Sequence, residues 1–134
     1  ARPCLSSADL QSLIDQVTRT GVGGLLALPV TDTLKRANAE SRVTATIDRD
    51  SIWQAQTPQM FRLGELSAAL QSAQANGSTM TDEASAMEAA GYPVQLVRGS
   101  VGNLKVTYKA DMPLADFWLK RLHPQDADMA GRDT

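Results

Sequence analysis

Gly24-Leu25-Leu26-Ala27-Leu28-Pro29-Val30 is a continuous apolar run in the first quarter of the chain. The run is too short for an isolated helix, and glycine and proline bound it. It therefore predicts a strand that is buried on both faces, as strands of parallel sheets are. Helical patterns alternate with further strand-like runs along the chain. This alternation favours an α/β layer fold with a mostly parallel sheet.

Capping and spacing patterns predict the helices. Ser6-Ser7-Ala8-Asp9 resembles a capping box, with Asp9 in place of the usual glutamate, and Gly21 is a good stop for the helix that follows. Thr81 is expected to cap a later helix, and Asp111 the last one. The expected inward-facing residues of the two middle helices are Leu63, Leu66, Leu70 and Ala73, then Ala84, Met87 and Ala90. Two more strands are predicted, at residues 92–98 and 104–107.

Residues 30–53 interrupt this pattern with a polar excursion. Residues 43–47 alternate with period two, as a strand with one solvated face does. We therefore predict a hairpin-like arm that leaves the main body. A two-stranded arm is only marginally stable by itself, so a second subunit is the economical surface for it to pack on. Arg49 lies between two aspartates on this arm. It either presents donors to an anion or belongs to a solvated surface hairpin.

Composition excludes several classes of protein. A chain of 134 residues with 43% hydrophobic content predicts one globular domain. The net charge of -2 gives no electrostatic case for nucleic acid or a membrane surface, and we see neither a membrane-spanning run nor a signal peptide. Cys4 is the single cysteine, which fits a reducing compartment such as the cytoplasm. The single histidine, His123, argues against a histidine metal site or a Ser-His-Asp triad.

Lys105 follows a glycine-rich turn at residues 99–103, at the predicted rim of the sheet. Ligands of open α/β sheets bind beside the carboxyl ends of the strands, where a lysine can serve as a point charge for phosphate. Gly99, Gly102 and Asn103 would let the backbone turn sharply and approach a ligand closely. The alternative is a solvated lysine on an edge strand. The turn is not a dinucleotide fingerprint, because its spacing differs and no helix follows directly.

Four further residues have both a structural and a functional interpretation. Thr81 is a helix cap, or it holds a substrate phosphate or hydroxyl at the same helix N-terminus. Thr33 and Thr57 are loop threonines unless a ligand reaches them. Arg2 is a terminal charge or an anion clamp, since its planar fork suits phosphate.

Several motifs occur in the order and spacing of one family. They are Ala1-Arg2-Pro3, Pro29-Val30-Thr31-Asp32-Thr33-Leu34-Lys35, Asp48-Arg49, Trp53-Gln54-Ala55-Gln56-Thr57-Pro58-Gln59-Met60-Phe61, Thr81-Asp82-Glu83-Ala84-Ser85-Ala86 and Asn103-Leu104-Lys105-Val106-Thr107. The ordered set resembles the methylerythritol phosphate cytidylyltransferases of the non-mevalonate isoprenoid pathway. The resemblance extends to about Leu122.

The resemblance implies a Rossmann-like nucleotidyltransferase fold and a homodimer clasped by extended arms. It implies transfer of CMP from CTP to methylerythritol phosphate, with release of pyrophosphate and with Mg²⁺ bound mainly through the CTP phosphates. Lys105 would position the attacking phosphate and offset charge at the α-phosphorus. Arg49 and Thr33 would reach the partner's active site and bind the substrate phosphate. Three more residues would hold the substrate's phosphate or hydroxyls: Arg2, Thr57 and Thr81.

The chain departs from the family at its beginning. The family's glycine-rich loop for the CTP triphosphate does not occur in it, nor does the aspartate just upstream of the position matching Ala1. We expect residues 1–134 to be the C-terminal portion of one nucleotidyltransferase domain, with a dimerisation arm at about 30–53 and a polar tail at 124–134. We expect this portion to be inactive alone. The alternatives are a cytidylyltransferase for another polyol phosphate, such as ribitol phosphate, and a non-catalytic dimerisation or binding module.

Overall fold

The structure, a computed structural model, describes residues 1–77 and 79–123. The predicted polar tail at 124–134 lies outside the described residues. The elements in chain order are α1 (Ser7–Thr20), β1 (Gly24–Pro29), β2 (Leu34–Ala37), β3 (Val43–Ile47), β4 (Trp53–Met60), α2 (Leu63–Ala75), α3 (Glu83–Ala89), β5 (Gln95–Arg98), a 3₁₀ turn (Lys109–Asp111) and α4 (Met112–Leu122).

Strand β1 is the centre of a three-stranded sheet in the order β4-β1-β5. Its first four residues are buried, so the predicted buried strand is confirmed. β1 runs antiparallel to β4, which returns the chain to the end of the sheet where β1 starts. It runs parallel to β5, because α2 and α3 connect β4 to β5 at that same end. The α/β class is confirmed. The three-stranded sheet has two ladders: the ladder of β1 with β5 is parallel, and the ladder of β1 with β4 is antiparallel.

Strand β4 bulges where it passes Leu26 of β1. Ala55 pairs with Ala27, and Gln59 pairs with Leu25. Three β4 residues, 56–58, therefore lie opposite the single residue Leu26. A bulge leaves residues outside the ladder and redirects their side chains. This irregularity places Thr57 at the wall of the cavity described below.

Helix α1 packs on one face of the sheet. The Ser6 hydroxyl accepts a hydrogen bond from the Asp9 N–H at 3.0 Å, and Gly21 ends the helix at a φ of 70°, as predicted. Glycine readily adopts the left-handed backbone conformation that ends the helix at this position. The core of this layer joins Leu13 and Val17 of the helix to the strand residues Leu26 and Val97.

A second cluster joins α2 to α3. Its buried members are Ala69, Ala73, Ala86 and Met87. Burial of Ala73, Ala84 and Met87 agrees with the prediction. Ala90 was expected to be buried but is exposed, because α3 ends at Ala89 and Ala90 is its C-cap. Leu63 and Leu70 are also exposed, since α2 turns its small residues inward.

Near the end of the described chain, one local prediction is wrong and another is confirmed only in the position of the cap. Residues 104–107 form no strand, because their N–H groups bond to local acceptors and to the Ala1 carbonyl instead of a ladder. Asp111 precedes α4, but its carboxylate turns back and accepts from the N–H groups of Thr107 and Tyr108. Asp111 is thus the N-cap residue of α4, as predicted, but its side chain bonds the preceding 3₁₀ turn and not the first turn of α4.

Strands β2 and β3 form an antiparallel hairpin between β1 and β4. Lys35 pairs with Thr46, and the lysine Nζ donates to the threonine hydroxyl at 2.7 Å. All residues of both strands are exposed or half-buried. The Val30 N–H donates to the Ile52 carbonyl at 3.0 Å and closes the base of the excursion. Among the described helices, none is long and apolar enough to cross a membrane.

Candidate active site

A cavity of about 400 Å³ lies between β4, the N-terminus of α3 and the segment that carries Lys105. Its lining residues are Ala1, Arg2, Ala55, Gln56, Thr57, Gln59, Thr81, Asp82 and Lys105. Four of the six predicted site residues are therefore brought together here. They come from four separate parts of the chain, which the sheet and its connections gather at one edge.

Arg2 is anchored by backbone carbonyls. One guanidinium nitrogen donates to the Asn103 carbonyl at 2.5 Å and the other to the Ala55 carbonyl at 3.2 Å. Burial lowers the pKa of Arg2, but arginine remains protonated in proteins. No carboxylate of the described residues forms an ion pair with it. Its charge therefore remains available to an anion in the cavity.

Lys105 supplies the second cation. Its residue is exposed, and its ammonium forms no ion pair within the described part of the chain. A lysine ammonium is a compact point charge on a flexible stem, which can follow a phosphate group as it moves. Arg2 and Lys105 together give the cavity two positive charges.

Thr57 lies on the bulge of β4. Its carbonyl accepts from the Asn103 side-chain amide at 2.8 Å, which fixes the backbone at this irregular point. The Gln56 amide beside it donates to the carbonyls of Ser100 and Asn103, at 3.1 and 3.3 Å. The bulge is thus bound to the glycine-rich turn that was singled out in the sequence.

Thr81 lies on the cavity wall but does not cap α3, so that prediction is wrong. Asp82 is the N-cap, and its carboxylate accepts from the Ser85 N–H at 2.9 Å. An aspartate bonds an N-terminal N–H as well as a threonine does and adds a charge that favours the helix dipole. The Thr81 hydroxyl lies 3.4 Å from the Ser85 hydroxyl. It is exposed and can contact a ligand.

Among the described residues that line the cavity, Asp82 is the one carboxylate. Burial opposes its ionisation, but hydrogen bonds from Gln59 and from the backbone and side chain of Ser85 hold its pKa below the usual value. Gln59 donates to Asp82 at 2.8 Å and accepts from the Ala84 N–H at 2.9 Å. One side chain of β4 therefore fixes the first turn of α3.

Four lining or supporting residues were missed as site residues: Gln56, Gln59, Asp82 and Asn103. A local signal existed for one of them, because Asp82 and Ser85 have the spacing of a capping box. The others act through contacts between residues 23 to 47 positions apart, which no local pattern indicates.

Thr33 and Arg49 lie on the excursion, away from this cavity. Arg49 donates to the carbonyl of Thr31 at the base of the hairpin. Thr33 immediately precedes β2 and is exposed. Within one chain, the structure does not bring either residue to the other four.

The cavity favours a phosphate ligand over a bound cation. Arg2 and Lys105 oppose one ionised carboxylate, and backbone carbonyls orient the arginine. In the described residues, no group of three or more His, Cys, Asp or Glu side chains could hold a metal ion. The arrangement can bind a phosphorylated small molecule and offset negative charge. The described lining contains no serine, cysteine or histidine, and hence no nucleophile activated by a histidine base.

Comparison with known proteins identifies relatives of the chain. The IspD family model, described as 2-C-methyl-D-erythritol 4-phosphate cytidylyltransferase, matches residues 1–121. The curated enzyme of that name from Dechloromonas aromatica is 56% identical over 120 residues, which are 90% of this chain and 51% of that protein. The one from Ectopseudomonas mendocina is 54% identical over 122 residues, covering 90% of this chain and 52% of that protein.

Solved structures carry the same name and fold. The Francisella tularensis enzyme of that name superposes with a TM-score of 0.80 at 38% identity, covering 88% of this chain and 55% of the other. The Thermus thermophilus structure gives 0.79 at 33% identity, covering 90% and 58%. The predicted Rossmann-like nucleotidyltransferase fold is thereby confirmed. The chain spans about half the length of the curated relatives it matches.

Proposed function

Because the chain belongs to the 2-C-methyl-D-erythritol 4-phosphate cytidylyltransferase family, we propose that its protein transfers CMP from CTP to methylerythritol phosphate. In this reaction a phosphate oxygen of the polyol phosphate attacks the α-phosphorus of CTP. A new P–O–P linkage forms, the bond between the α-phosphorus and the bridging oxygen breaks, and pyrophosphate leaves with the electron pair.

The observation that carries this proposal is the cavity shared by Arg2, Thr57, Thr81 and Lys105. Two cations without ion-pair partners in the described chain suit a phosphate monoester. The two threonines add hydroxyl groups that can bond the phosphate or the polyol. Asp82, kept ionised by its hydrogen bonds, is an acceptor for polyol hydroxyls.

Positioning and charge stabilisation account for the proposed chemistry. The reaction brings two anionic reactants together, so their mutual repulsion must be offset before the oxygen can attack. We assign this role to Lys105, whose ammonium can follow charge that develops around the α-phosphorus. Arg2, fixed by two carbonyls, holds the polyol phosphate in the ground state. Neither role needs a covalent intermediate on the protein.

The arm would complete the site in a homodimer. We propose that residues 30–53 clasp a second copy of the chain, so that Thr33 and Arg49 of the partner subunit contact the substrate phosphate. The fully exposed or half-buried hairpin supports this assignment, because a two-stranded ribbon needs a surface to pack on. Residues 1–123 would carry the polyol phosphate side of the site.

Magnesium is assigned to the nucleotide. Asp82, the one carboxylate among the described lining residues, already accepts from Gln59 and Ser85, so the described residues do not form a magnesium cage. Mg²⁺ commonly binds through substrate phosphates with few protein ligands. We propose that it enters with CTP and that residues 1–77 and 79–123 provide no ligand set for it.

Phosphorus NMR of the complete gene product tests the proposal. With CTP, Mg²⁺ and methylerythritol phosphate, we expect signals of pyrophosphate and of a cytidine diphosphate ester to appear together. The Lys105→Ala variant, folded by circular dichroism, should form them far more slowly. Product from ribitol phosphate at an equal or greater rate would shift the assignment to another polyol phosphate. If the wild type forms product from neither, the proposed activity is wrong.

A further inference from the structure

Asn103 is a polar side chain with no solvent exposure, at the end of the turn that follows β5. Burial of an amide is unfavourable unless hydrogen bonds replace those to water. The side-chain oxygen of Asn103 has no hydrogen-bond partner among the described residues, and the same holds for the oxygen of buried Gln56 beside it. A buried amide whose oxygen lacks a hydrogen bond lowers the stability of the fold. A contribution to stability therefore does not explain why Asn103 lies at this position.

The side chain and the main chain of Asn103 each form a hydrogen bond with a residue that lines the cavity. The side-chain nitrogen donates to the Thr57 carbonyl at 2.8 Å, and the main-chain carbonyl accepts from the Arg2 guanidinium. The ladder with β1 gives Thr57 no partner, because it lies on the bulge. The amide of Asn103 therefore supplies the bond that the sheet does not.

Asn103 is also the last firmly fixed point before Lys105. The segment from 104 to 107 forms no strand, and Lys105 itself is exposed. Only one residue, Leu104, lies between the fully buried asparagine and this cation. Any displacement of residue 103 would consequently move Arg2, Thr57 and Lys105 relative to one another.

We propose that Asn103 is a positioning residue that sets the mutual placement of Arg2, Thr57 and Lys105 for the phosphate of the polyol substrate. It touches no reacting atom and acts through the three residues it places. This inference rests on the proposed function and adds a residue to it. It also explains why a costly buried amide, which no leucine or alanine could replace in its donor role, lies beneath the cavity.

The test uses the complete gene product with Asn103→Ala and Asn103→Leu. Alanine removes the donor and leaves space, whereas leucine removes the donor and keeps most of the volume. Asn76→Ala is the matched control, since Asn76 is exposed at the end of α2 and does not line the cavity. Steady-state constants are measured for both substrates, and thermal unfolding verifies that each variant is folded.

In folded variants, we expect the KM for methylerythritol phosphate to rise about ten- to hundredfold, because Arg2 and Thr57 are displaced, and kcat to fall, because Lys105 is displaced, while the KM for CTP stays unchanged. Alanine and leucine should behave alike, and the control should match the wild type. A merely structural role would lower the active fraction and hence kcat, with both KM values unchanged, and that result overturns the inference. A wild type with no activity on the polyol phosphate would instead overturn the proposed function.

A measurement on the wild type covers the case in which neither variant folds. The side-chain amide protons of Asn103, assigned by NMR, should exchange slowly and shift when methylerythritol phosphate is added. The side-chain amide protons of Asn76 should exchange fast, and their chemical shifts should not change when the substrate is added. Fast exchange at Asn103, or no shift at saturating substrate, would contradict the proposal.

Discussion

At the scale of single residues, two cations decide what the cavity can bind. Arg2 is fixed by two backbone carbonyls, whereas Lys105 extends from an irregular, exposed segment. A rigid fork suits ground-state binding of a phosphate, and a flexible point charge can respond to charge that appears only in the transition state. The two residues should therefore affect different kinetic constants.

Lys105→Ala is expected to lower kcat about hundred- to thousandfold with little change in the KM for the polyol phosphate, similar to removal of an oxyanion-hole donor. Steady-state kinetics of the complete gene product measures this. The matched control is Lys109→Ala, an exposed lysine of the 3₁₀ turn that does not line the cavity. An equal loss in both variants would remove Lys105 from its proposed role.

Gly99→Ala tests the packing beneath the cavity. A Cβ at this position would lie 2.3 Å from the side-chain oxygen of Gln56 and 3.4 Å from the Leu26 Cβ. Gln56 is buried and its side chain donates to the Ser100 carbonyl, so it cannot move away without losing this hydrogen bond. We expect the free energy of unfolding to fall by about 1–3 kcal/mol, as in overpacked cores. Urea titration measures it.

Gly64→Ala is the control for that substitution. A Cβ at residue 64 meets nothing within 4 Å, and the residue lies in the first turn of α2. Alanine should leave stability unchanged or raise it by up to about 1 kcal/mol, because it favours the helix. If Gly99→Ala proved as harmless as Gly64→Ala, the described packing of Gln56 would be wrong.

At the scale of elements, helix α3 depends on a neighbouring strand for its start. Asp82 caps the helix, and Gln59 of β4 bonds both the Asp82 carboxylate and the Ala84 N–H. A helix of only seven residues has little intrinsic stability, so such tertiary bonds determine where it begins. This start places Thr81 and Asp82 on the cavity wall.

Asp82→Ala should lower the free energy of unfolding by about 1 kcal/mol at pH 7, the usual cost of a lost cap. The folded-state pKa of Asp82 is lowered, so its contribution is present above the unfolded value of about 3.9. It is lost as the pH falls through the folded-state pKa. Urea titrations at pH 7 and at pH 3 should therefore show the difference from wild type shrinking in acid.

Asp116→Ala is the control for the cap. Asp116 pairs with Lys120 at 2.7 Å, but both side chains are 61% exposed. Exposed pairs of this kind contribute about 0.5 kcal/mol or less. The capping role would be contradicted if Asp82→Ala lowered the free energy of unfolding no more than Asp116→Ala does. It would also be contradicted if the loss in Asp82→Ala were larger in acid than at pH 7.

The sequence predicts the features that depend on adjacent residues, and it does not predict those that depend on contacts between residues far apart in the chain. The buried strand β1 and the capped helix α1 follow from adjacent residues, so both could be predicted. Asp82 rather than Thr81 caps α3. The spacing of Asp82 and Ser85 is a local signal for this cap, and the bond from Gln59, 23 residues upstream, is a long-range addition that the sequence does not indicate. The bulge that exposes Thr57 likewise depends on pairing with β1 and on Asn103.

The cavity could be predicted only in part for the same reason. Family motifs named Arg2, Thr57, Thr81 and Lys105, and the structure brings these four together. The buried supports, Gln56 and Asn103, resemble ordinary turn and strand amides in the sequence. Their role becomes visible only when their hydrogen bonds across the sheet are known.

At the scale of the whole molecule, the hairpin buries neither of its strands within the single chain. Every residue of β2 and β3 is exposed or half-buried, and Val43 is 62% exposed. The base of the hairpin is closed by the bond between Val30 and Ile52. The excursion can therefore be shortened without opening the pairing of β1 with β4.

Sedimentation velocity at micromolar concentration should find the complete gene product as a dimer. A variant in which residues 31–51 are replaced by a short glycine-serine turn should sediment as a folded monomer, because the arm supplies the interface. A monomeric wild type, or a shortened variant that remains dimeric, would count against the arm as the dimerisation element.

The most direct test of a site shared between two subunits mixes two inactive variants. Arg49→Ala and Lys105→Ala are prepared separately, and subunit exchange between them is verified with distinct affinity tags. In a mixed dimer, one site receives both lesions and the other receives none. We predict recovery of about a quarter of the wild-type activity at equal mixing, since half the dimers are mixed and each has one intact site. Full exchange with no recovery would show that Arg49 acts within its own subunit and would contradict the account.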